Sequence, residues 1–373
     1  MPHSFAATNP CHVYDLALAL AEAGALGTYY SGYPRWRLRP PEGFPLRVRA
    51  GRTLVTYGMQ RLPEALRIRD DRVFRWQDRG FDRAVARILE GEGYLHGLPG
   101  QCAALFRKAH TTVGLRPVLN HAQGPLAQQR ALVAREYARH GRDLGAELPL
   151  PASYEARLAE EMELADFHCV ASTVVRDQLI ADGVDPAAIW VVPYGADAVL
   201  FPKRGETPGG PFRICFAGRQ SLRKGIHYLL KALESVDSSD WELHCFGMEF
   251  AETTADFRAY VGRAKVIQRG SLPQAELARA LQEMHALVLP SVEEAFGLVV
   301  VQALEVGVPC IVSDRVGAKD LIRDGATGSI VPFGDVAAFA AALQRWEAER
   351  ITVPDRFPWS ACAERLLEVA GKA

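Results

Sequence analysis

Residues 286–313 read ALVLPSVEEAFGLVVVQALEVGVPCIVS, and this stretch alternates strand and helix patterns. The apolar run ALVLP, from Ala286, predicts a buried strand, and PCIVSD after Gly307 predicts the next one. Between them a helix is expected from about Phe296–Gly297 to Gly307, because glycine commonly ends a helix. A strand, a helix and a second strand in this order are typical of a parallel sheet with crossover helices.

The same alternation continues on both sides of this stretch. In the second half, apolar runs predict strands from Arg213, Trp241, Ala264 and Thr327. Helical patterns there begin at Gly225, Pro273 and Val336, and another covers the tail after Phe357. In the first half, strands are predicted from Tyr94, Arg116, Phe167 and Ile189. Helices are predicted there over Val13–Ala23, Asp82–Glu90, Gln101–Ala109, Leu126–His140, Glu155–Ala165 and Thr173–Ala181. Residues 32–64, rich in proline, arginine and glycine, give no clear pattern.

The length of 373 residues exceeds that of a usual single domain and predicts two domains. Of these residues, 49% are apolar, which is enough for two hydrophobic cores. The stretch PYGADAVLFPKRGETPGGPF, dense in proline and glycine, marks a boundary with a linker near Phe201–Pro211. The predicted architecture is two doubly wound α/β domains, residues 1–202 and 203–355, followed by a helix within 356–373.

Composition argues against several classes of protein. The formal net charge of −1 gives no sign of nucleic-acid binding. Seven scattered cysteines without a C-x-x-C pair argue against a disulfide framework or a zinc–cysteine site, and favour a reducing cytoplasm. The start, MPHSFAATNPCHVYD, lacks the features of a signal peptide, and no run of about 18 apolar residues predicts a membrane span. A cytoplasmic protein is expected.

Positive charge is concentrated in one part of the first half. Between Arg35 and Arg87 there are fourteen arginines, no lysine and six acidic residues, a formal charge of +8. Such a segment can be a solvated basic surface, or it can attract anionic lipid head groups or a phosphate-bearing acceptor. Both interpretations stay open, and the second predicts a peripheral contact with the inner face of a membrane.

The stretch FAGRQSLRKG, residues 216–225, places two cations after a predicted strand. The strand ends at Gly218, and Arg219 and Lys224 follow before the next helix begins. In doubly wound sheets, ligands bind at the carboxyl edge of the strands. A planar guanidinium and a mobile ammonium there would suit a diphosphate, although a loop with solvated basic side chains fits this stretch equally well.

Glu294 lies in the loop just before the helix expected from Phe296–Gly297. The free N–H groups of a helix N-terminus suit a phosphate, and a carboxylate beside them can accept hydrogen bonds from sugar hydroxyls. An acidic residue before a helix is also a common stabilising feature that binds nothing. Gln302 follows eight residues after Glu294, about two helical turns on.

Together, the order and spacing of these motifs resemble the retaining glycosyltransferases of family 4, which have the two-domain GT-B fold. The resemblance runs from VVPYGADAVLF through FAGRQSLRKG to EEAFGLVVVQALEVGVPCIVSDRVGAKDLIRDGATGSIVPFGD, about 145 residues, while the first half resembles the family only loosely. It implies two Rossmann-like domains facing each other across a cleft, with the C-terminal helix crossing back to the first. The second domain would hold a nucleotide-diphosphate sugar, UDP- or GDP-linked, and the first domain would hold the acceptor.

The resemblance implies a role for individual residues around the diphosphate. Arg219 and Lys224, after Gly218, would bind the diphosphate, and Glu294 would contact hydroxyls of the donor sugar. The backbone of Phe296–Gly297–Leu298 would meet the β-phosphate.

The resemblance also assigns residues to the nucleoside. Arg269, Ser271 and Leu272 would lie near the base. Position 302 corresponds to the second glutamate of the family's motif, which normally holds the ribose hydroxyls, but it is Gln302 here. Because an amide accepts only neutral hydrogen bonds through its carbonyl, we expect donor binding to weaken by about 1 kcal/mol.

In the first domain, members of the family often place a histidine at a strand end, facing the donor sugar. His121 in RPVLNHAQG is the best match and His96 in YLHGLPG the second, although a lone histidine is often structural. The glycine-rich first loop of the family is replaced by FAATNPCH, so its acceptor and phosphate contacts cannot be assigned to residues 6–12.

The sequence contains neither D-x-D nor H-x-x-x-H, which predicts a reaction without a metal ion or another cofactor. Arg219, Lys224 and the helix terminus would stabilise the departing diphosphate, and retention, implied by the family, would place the acceptor on the same face. Closure of the domains about Phe201–Pro211 would exclude water. Two other functions stay open: a sugar phosphorylase or epimerase on the same fold, and a non-catalytic partner protein that has lost the chemistry.

Overall fold

The computed structural model describes residues 1–61, 70–142 and 152–372. In the first half, a seven-stranded parallel sheet has the order β3-β2-β1-β4-β5-β6-β7. Its strands are β1 (His3–Ala7), β2 (Leu26–Ser31), β3 (Leu46–Val48), β4 (Gly93–Gly97), β5 (Leu115–His121), β6 (Phe167–Val170) and β7 (Ile189–Val191). The order reverses between β1 and β4, the arrangement of a doubly wound sheet.

The second half contains a six-stranded parallel sheet with the equivalent order β10-β9-β8-β11-β12-β13. Its strands are β8 (Phe212–Ala217), β9 (Trp241–Phe246), β10 (Lys265–Gly270), β11 (Ala286–Leu289), β12 (Cys310–Ser313) and β13 (Gly328–Val331). The strand order reverses between β8 and β11. Every residue of β11 and β12 is buried, as expected for central parallel strands covered by helices on both faces.

Helices connect the strands and cover both sheets. In the first half they are α1 (His12–Glu22), α2 (Arg35–Leu38), α3 (Gly51–Gln60), α4 (Asp70–Ala86), α5 (Ala103–Ala109), α6 (Leu126–Arg139), α7 (Ala152–Glu163) and α8 (Thr173–Ala181). In the second half they are α9 (Ile226–Glu234), α10 (Ala251–Ala259), α11 (Gln274–Gln282), α12 (Leu298–Val306), α13 (Val336–Glu349) and α14 (Trp359–Ala370). None of the helices in the described ranges has the length and apolar character needed to span a bilayer.

The helix predicted over Asp82–Glu90 was wrong at its start, because α4 begins at Asp70. The buried face of this helix includes Val73, Gln77 and Phe81, four residues apart. A glutamine in the middle of that series interrupts the apolar period, so the sequence pattern hides the first three turns.

Two segments connect the sheets, and they lie side by side. Ala196 pairs with Pro358 in a parallel bridge, and its backbone N–H donates to the carbonyl of Phe357 at 2.8 Å. Glycine is needed next to this bridge, since a Cβ on Gly195 would lie 2.7 Å from the carbonyl carbon of Pro358. The chain therefore passes between the two halves twice at one place.

The C-terminal helix α14 packs on the first half of the chain, against α1 and β7. The Tyr94 hydroxyl of β4 donates to the carbonyl oxygen of Ala370 at 2.9 Å. Cys362 and Leu366 belong to the same buried cluster as Phe5 and Leu20. The predicted GT-B architecture, with a C-terminal helix that crosses back to the first domain, is confirmed.

The predicted linker, Phe201–Pro211, is held against the second domain. Phe201 is buried in its core. The buried Arg204 guanidinium donates to the carbonyl oxygens of Met284 and Ile351, at 2.5 and 2.8 Å. The start of this segment therefore moves with the second sheet, which argues against closure about Phe201–Pro211 as a free hinge; the chain crosses between the halves before it, at residues 192–200.

Candidate functional site

A cavity of about 290 Å³ opens at the carboxyl ends of β8, β9 and β10, beside the start of α12. Residues of the predicted donor site that line it are Gly218, Ser271, Leu272, Leu298 and Gln302. This edge of a doubly wound sheet is where ligands bind. The fold thus brings three separate segments of the predicted site to one cavity.

Two glycines form the wall of this cavity where β8 and β9 end. Gly218 has φ +147° and Gly247 has φ +115°, values that favour glycine. A Cβ on Gly247 would lie only 2.0 Å from the carbonyl oxygen of Gly218. Close approach of the two backbones leaves the space in front of them open to a ligand.

Lys224 and Glu294 form an ion pair between the turn after β8 and the loop before α12. Lys224 lies in a short turn after β8, and Gly225 ends that turn with φ +73°. A Cβ on Gly225 would lie 2.0 Å from the carbonyl oxygen of Pro290, so only glycine lets the turn pack against the end of β11. This packing brings the ammonium of Lys224 to the carboxylate of Glu294, and both side chains stay partly exposed.

The loop before α12 is fixed by backbone hydrogen bonds. The carbonyl of Glu294 accepts from the N–H of Gly317 at 2.9 Å, and that of Phe296 accepts from Ala318 at 2.7 Å. Gly297, with φ +94°, starts the helix, and no described side chain caps it. The first N–H groups of α12 therefore remain available to an anion.

Glu293, beside Glu294, has a different role that the sequence did not reveal. Its carboxylate is buried and accepts from Arg223 at 2.9 Å and from Gln129 of α6 at 2.8 Å. Gln129 belongs to the first domain, so Glu293 links the two domains directly. Of two adjacent glutamates, one is held in a structural bridge and the other is partly exposed in an ion pair with Lys224.

Gln302 and Arg219 are both accessible. The amide of Gln302 lines the cavity and donates to the side chain of Gln274 at 3.1 Å. Arg219 is exposed after β8, and its guanidinium lies 5.8 Å from the ring centre of Phe250. Neither side chain is locked in a buried network, so each is free to turn toward a ligand.

Arg269 lies outside this cavity. Its guanidinium contacts Nδ1 of His244 at 3.2 Å and lines a neighbouring cavity of about 550 Å³ together with Glu242. Phe246 and Leu272 border both cavities. Arg269 therefore faces the far side of the loop whose other residues, Ser271 and Leu272, meet the first cavity.

His121 ends β5 and lies within the first domain. Its Nε2 is 3.0 Å from Nδ1 of His168 on β6, and both rings are buried. Burial lowers the pKa of His121 to about 3, so this ring is uncharged at neutral pH. His121 lines a separate, largely apolar cavity of about 420 Å³, bordered also by Leu126 and Met162.

His96, the second histidine considered, is part of an internal network. Its Nε2 lies 2.9 Å from Nδ1 of His3, and its Nδ1 contacts the side chain of Asn120. The ring also stacks on Phe5 at 4.3 Å. These contacts give His96 a packing role inside the first sheet.

His12, in the loop that replaces the family's glycine-rich segment, contacts Tyr194. The Tyr194 hydroxyl lies 3.0 Å from Nε2 of His12, and the Tyr194 ring packs edge-on against Phe296 at 4.9 Å. The first loop thus reaches the start of α12 through one aromatic ring. The sequence contained no signal for this contact, because the three residues are far apart along the chain.

The comparisons with known proteins agree with this geometry. Residues 200–357 match the family model described as Glycosyl transferases group 1. That domain carries the Lys224–Glu294 pair and Gln302. Over the residues it covers, this match agrees with the predicted glycosyltransferase domain, at the level of group 1.

A curated relative is the lipopolysaccharide 1,6-galactosyltransferase of Salmonella typhimurium, 27% identical over 198 residues, which are 50% of this chain and 54% of the relative. The chain thus spans about half the length of the curated relatives it matches. Two solved structures cover the whole chain. The lipopolysaccharide outer core galactosyltransferase WaaB is 14% identical with a TM-score of 0.67 and 99% of its chain covered. Anabaena Alr3699/HepE in complex with UDP is 12% identical, with a TM-score of 0.65 and all of its chain covered. At these identities the structures establish the fold.

Proposed function

We propose that this protein is a retaining glycosyltransferase of family 4 that transfers a sugar from a UDP- or GDP-sugar to an acceptor hydroxyl. The observation that carries the proposal is the Lys224–Glu294 pair, formed between the turn after β8 and the loop before α12. Gly218 at the end of β8 and Leu298 at the start of α12 line a cavity in the same domain, which matches group 1 glycosyltransferases. The UDP held by a protein of the same fold, and the galactosyltransferase name of a relative, support a nucleotide-sugar donor.

Donor binding would replace the ion pair. The diphosphate takes the ammonium of Lys224, with Arg219 turning in from solvent, and the N-terminus of α12 adds backbone N–H groups. Glu294 is released from Lys224 and accepts hydrogen bonds from the sugar hydroxyls. Gln302 and the loop at Ser271–Leu272 meet the ribose and base, while Arg269 reaches the base only if it leaves His244.

The same residues would carry the reaction without a metal ion. As the bond between the sugar C1 and the phosphate oxygen breaks, negative charge grows on the diphosphate, and Lys224 and Arg219 stabilise it. The acceptor hydroxyl attacks the same face and passes its proton to the leaving phosphate oxygen. We expect the transfer rate to be the same whether Mg²⁺ or Mn²⁺ is added or omitted, and a requirement for either ion would overturn metal independence.

The apolar cavity beside His121 would hold part of the acceptor. Its walls include Leu126 and Met162, with the ion pair of Arg130 and Glu155 on the border. An acceptor with an apolar portion, such as a lipid-linked sugar, suits these walls better than a free glycan. In this proposal His121 contacts the acceptor or donor sugar as a neutral imidazole.

The arginine-rich stretch supports a peripheral contact with anionic lipid. Within its described part, Trp36 and Trp76 are exposed by 66% and 42%, beside Arg37 and Arg52. Exposed tryptophans among arginines are typical of an interfacial surface. Binding to vesicles containing anionic phospholipid should fall as salt rises, whereas equal binding to neutral vesicles would contradict the proposal.

A thermal-shift panel of UDP-, GDP-, ADP- and TDP-sugars tests the donor. One nucleotide class should raise the Tm, and the sugar released or transferred should keep its anomeric configuration by NMR. No shift with any nucleotide sugar would favour the non-catalytic partner protein. A reaction that requires inorganic phosphate would favour a phosphorylase.

A further inference from the structure

Three side chains from both domains converge at one point outside the donor cavity. Glu136 lies in the last turn of α6, His140 follows the end of that helix, and His227 lies in the first turn of α9. Their ligand atoms all lie within 4.8 Å of one another. Within the described ranges, these three residues bring together one carboxylate and two imidazoles, which are groups that bind transition metals.

The three groups meet through a single oxygen. Nε2 of His140 and Nε2 of His227 each lie 3.0 Å from Oε1 of Glu136. The imidazole rings are nearly perpendicular, at 75°, with centres 4.5 Å apart. Ligands of a tetrahedral zinc ion stand at about 2.0–2.2 Å from the metal, which spaces them by roughly 3.3–3.5 Å. The two N–O distances of 3.0 Å are therefore within a few tenths of an ångström of the spacing that a zinc ion requires.

Oε1 of Glu136 lies within hydrogen-bond distance of more donors than it has lone pairs. Besides the two imidazoles, the Tyr228 hydroxyl donates to the same Oε1 at 2.6 Å. A carboxylate oxygen offers about two lone-pair directions, so three groups compete for them. A cation placed among Oε1 and the two Nε2 atoms would remove this competition, and Tyr228 would then support the ligating carboxylate from outside.

The charge and burial of the cluster are compatible with a divalent ion. Glu136 and His227 are buried, and the side chain of His140 is 18% exposed, which leaves a route from solvent. Arg139 lies 3.5 Å from the other oxygen, Oε2, so the guanidinium and a metal would use different oxygens.

We propose that Glu136, His140 and His227 bind one first-row divalent transition metal, with Zn²⁺ as the best fit, and that this ion clamps α6 of the first domain to α9 of the second. Two imidazoles and one carboxylate suit Zn²⁺, and water completes a tetrahedral site. The ion would not take part in sugar transfer, because the donor cavity is lined by none of the three ligands. It would instead hold the cleft in the closed arrangement.

The test measures Zn²⁺ binding to the EDTA-stripped full-length protein by competition with a chromophoric indicator. We expect one equivalent per chain, bound at micromolar concentration or tighter, and a rise of several degrees in Tm. His227→Ala and His140→Ala should each weaken binding by at least about 100-fold and abolish the rise in Tm, since even the loss of a residue that supports a ligand costs about 10- to 100-fold. Because His140 is partly exposed at a helix end, its variant keeps the test valid if His227→Ala fails to fold.

His244→Ala is the matched control. His244 also contacts a glutamate, Glu242, at 3.0 Å, but belongs to no described three-ligand cluster. It should bind Zn²⁺ as the wild type does. Cobalt substitution adds a spectroscopic signature: intense visible bands of a four-coordinate site are expected in the wild type and lost in His140→Ala. Absence of Zn²⁺ binding, equal binding by His140→Ala, or a cobalt–thiolate charge-transfer band would overturn the proposal, and none of these outcomes depends on transferase activity.

Discussion

Each domain has a pair of polar side chains that come from two neighbouring strands or from the loops that follow them. The two pairs differ in charge and in exposure to water. In the second domain, Lys224 and Glu294 form an ion pair that remains partly exposed. In the first domain, His121 and His168 contact each other while both are buried. A partly exposed ion pair can exchange partners with a charged ligand. A buried neutral pair instead helps to fix the packing of its sheet.

The difference teaches where the chemistry of the molecule lies. A donor diphosphate would give the Lys224 ammonium another anionic partner in place of Glu294, which would offset the loss of the ion pair. Burial of His121, by contrast, disfavours its charged form and makes proton transfer from this ring at neutral pH costly. If the proposed function holds, we expect charged side chains of the second domain to stabilise the transition state. His121 of the first domain would contact the substrate as a neutral ring, without transferring a proton.

The largest expected effect comes from Lys224→Ala. Loss of the ammonium removes a charge that stabilises the departing diphosphate, so the transfer rate should fall by roughly 100- to 1000-fold. Steady-state transfer measured beside circular dichroism checks this, with Lys231→Ala, on the exposed face of α9, as the control. Unchanged transfer in both Lys224→Ala and Arg219→Ala would remove the diphosphate site from this edge.

Glu294→Gln should lower transfer by about 100-fold, because the neutral amide cannot accept charge-assisted bonds from the sugar hydroxyls. Binding of the free nucleotide should stay close to wild type, while binding of the nucleotide sugar weakens. Isothermal titration with both ligands separates these effects. The control is Glu276→Gln, an exposed acid on α11. If nucleotide and nucleotide sugar weaken equally, Glu294 does not contact the sugar.

His121→Gln tests the buried histidine pair of the first domain through the pH dependence of stability. The pKa of His121 is lowered from 6.5 to about 3 in the folded protein, so the unfolded state binds the extra proton. The contribution of neutral His121 to the free energy of unfolding is therefore fully present above pH 6.5. It is lost as the pH falls toward 3, by up to about 1.4 kcal/mol per pH unit. The variant should lose part of this slope in urea unfolding measured at pH 5.5 and 7.5.

The control for that experiment is His110→Gln, which makes the same substitution at an exposed histidine at the end of α5. Transfer by His121→Gln distinguishes the two roles of the ring. A structural role predicts a lower unfolding midpoint with transfer largely retained. Loss of transfer at an unchanged midpoint would return His121 to the catalytic machinery and break the contrast between the domains.

Gln302→Glu should give the smallest effect. A carboxylate at this position can accept charge-assisted bonds from ribose hydroxyls, which is worth about 1 kcal/mol, or about fivefold in donor affinity. Titration with the nucleotide sugar measures it. A clear fall in affinity would mean that the amide of Gln302, which donates a hydrogen bond to Gln274 in this structure, makes a specific contact with the donor.

The sequence by itself predicted most of the second domain. Strands such as β11 and β12 are short apolar runs, and a proline follows the first and precedes the second, so their position can be predicted without tertiary information. Gly218, Lys224, Glu294 and Gln302 belong to local motifs, and the order of those motifs was enough to group them around one site.

Other features were decided only by the tertiary structure. Nothing local distinguishes Glu293 from Glu294; the difference arises because Gln129 reaches Glu293 from the first domain. Only part of the cluster of Glu136, His140 and His227 is apparent in the sequence. Glu136 and His140 are four residues apart at the end of one helix, whereas His227 comes from the other domain. A motif made of neighbouring residues can be recognised in the sequence. A contact between segments about a hundred residues apart forms only when both sheets have folded and packed together, because packing, and not spacing along the chain, brings such groups together.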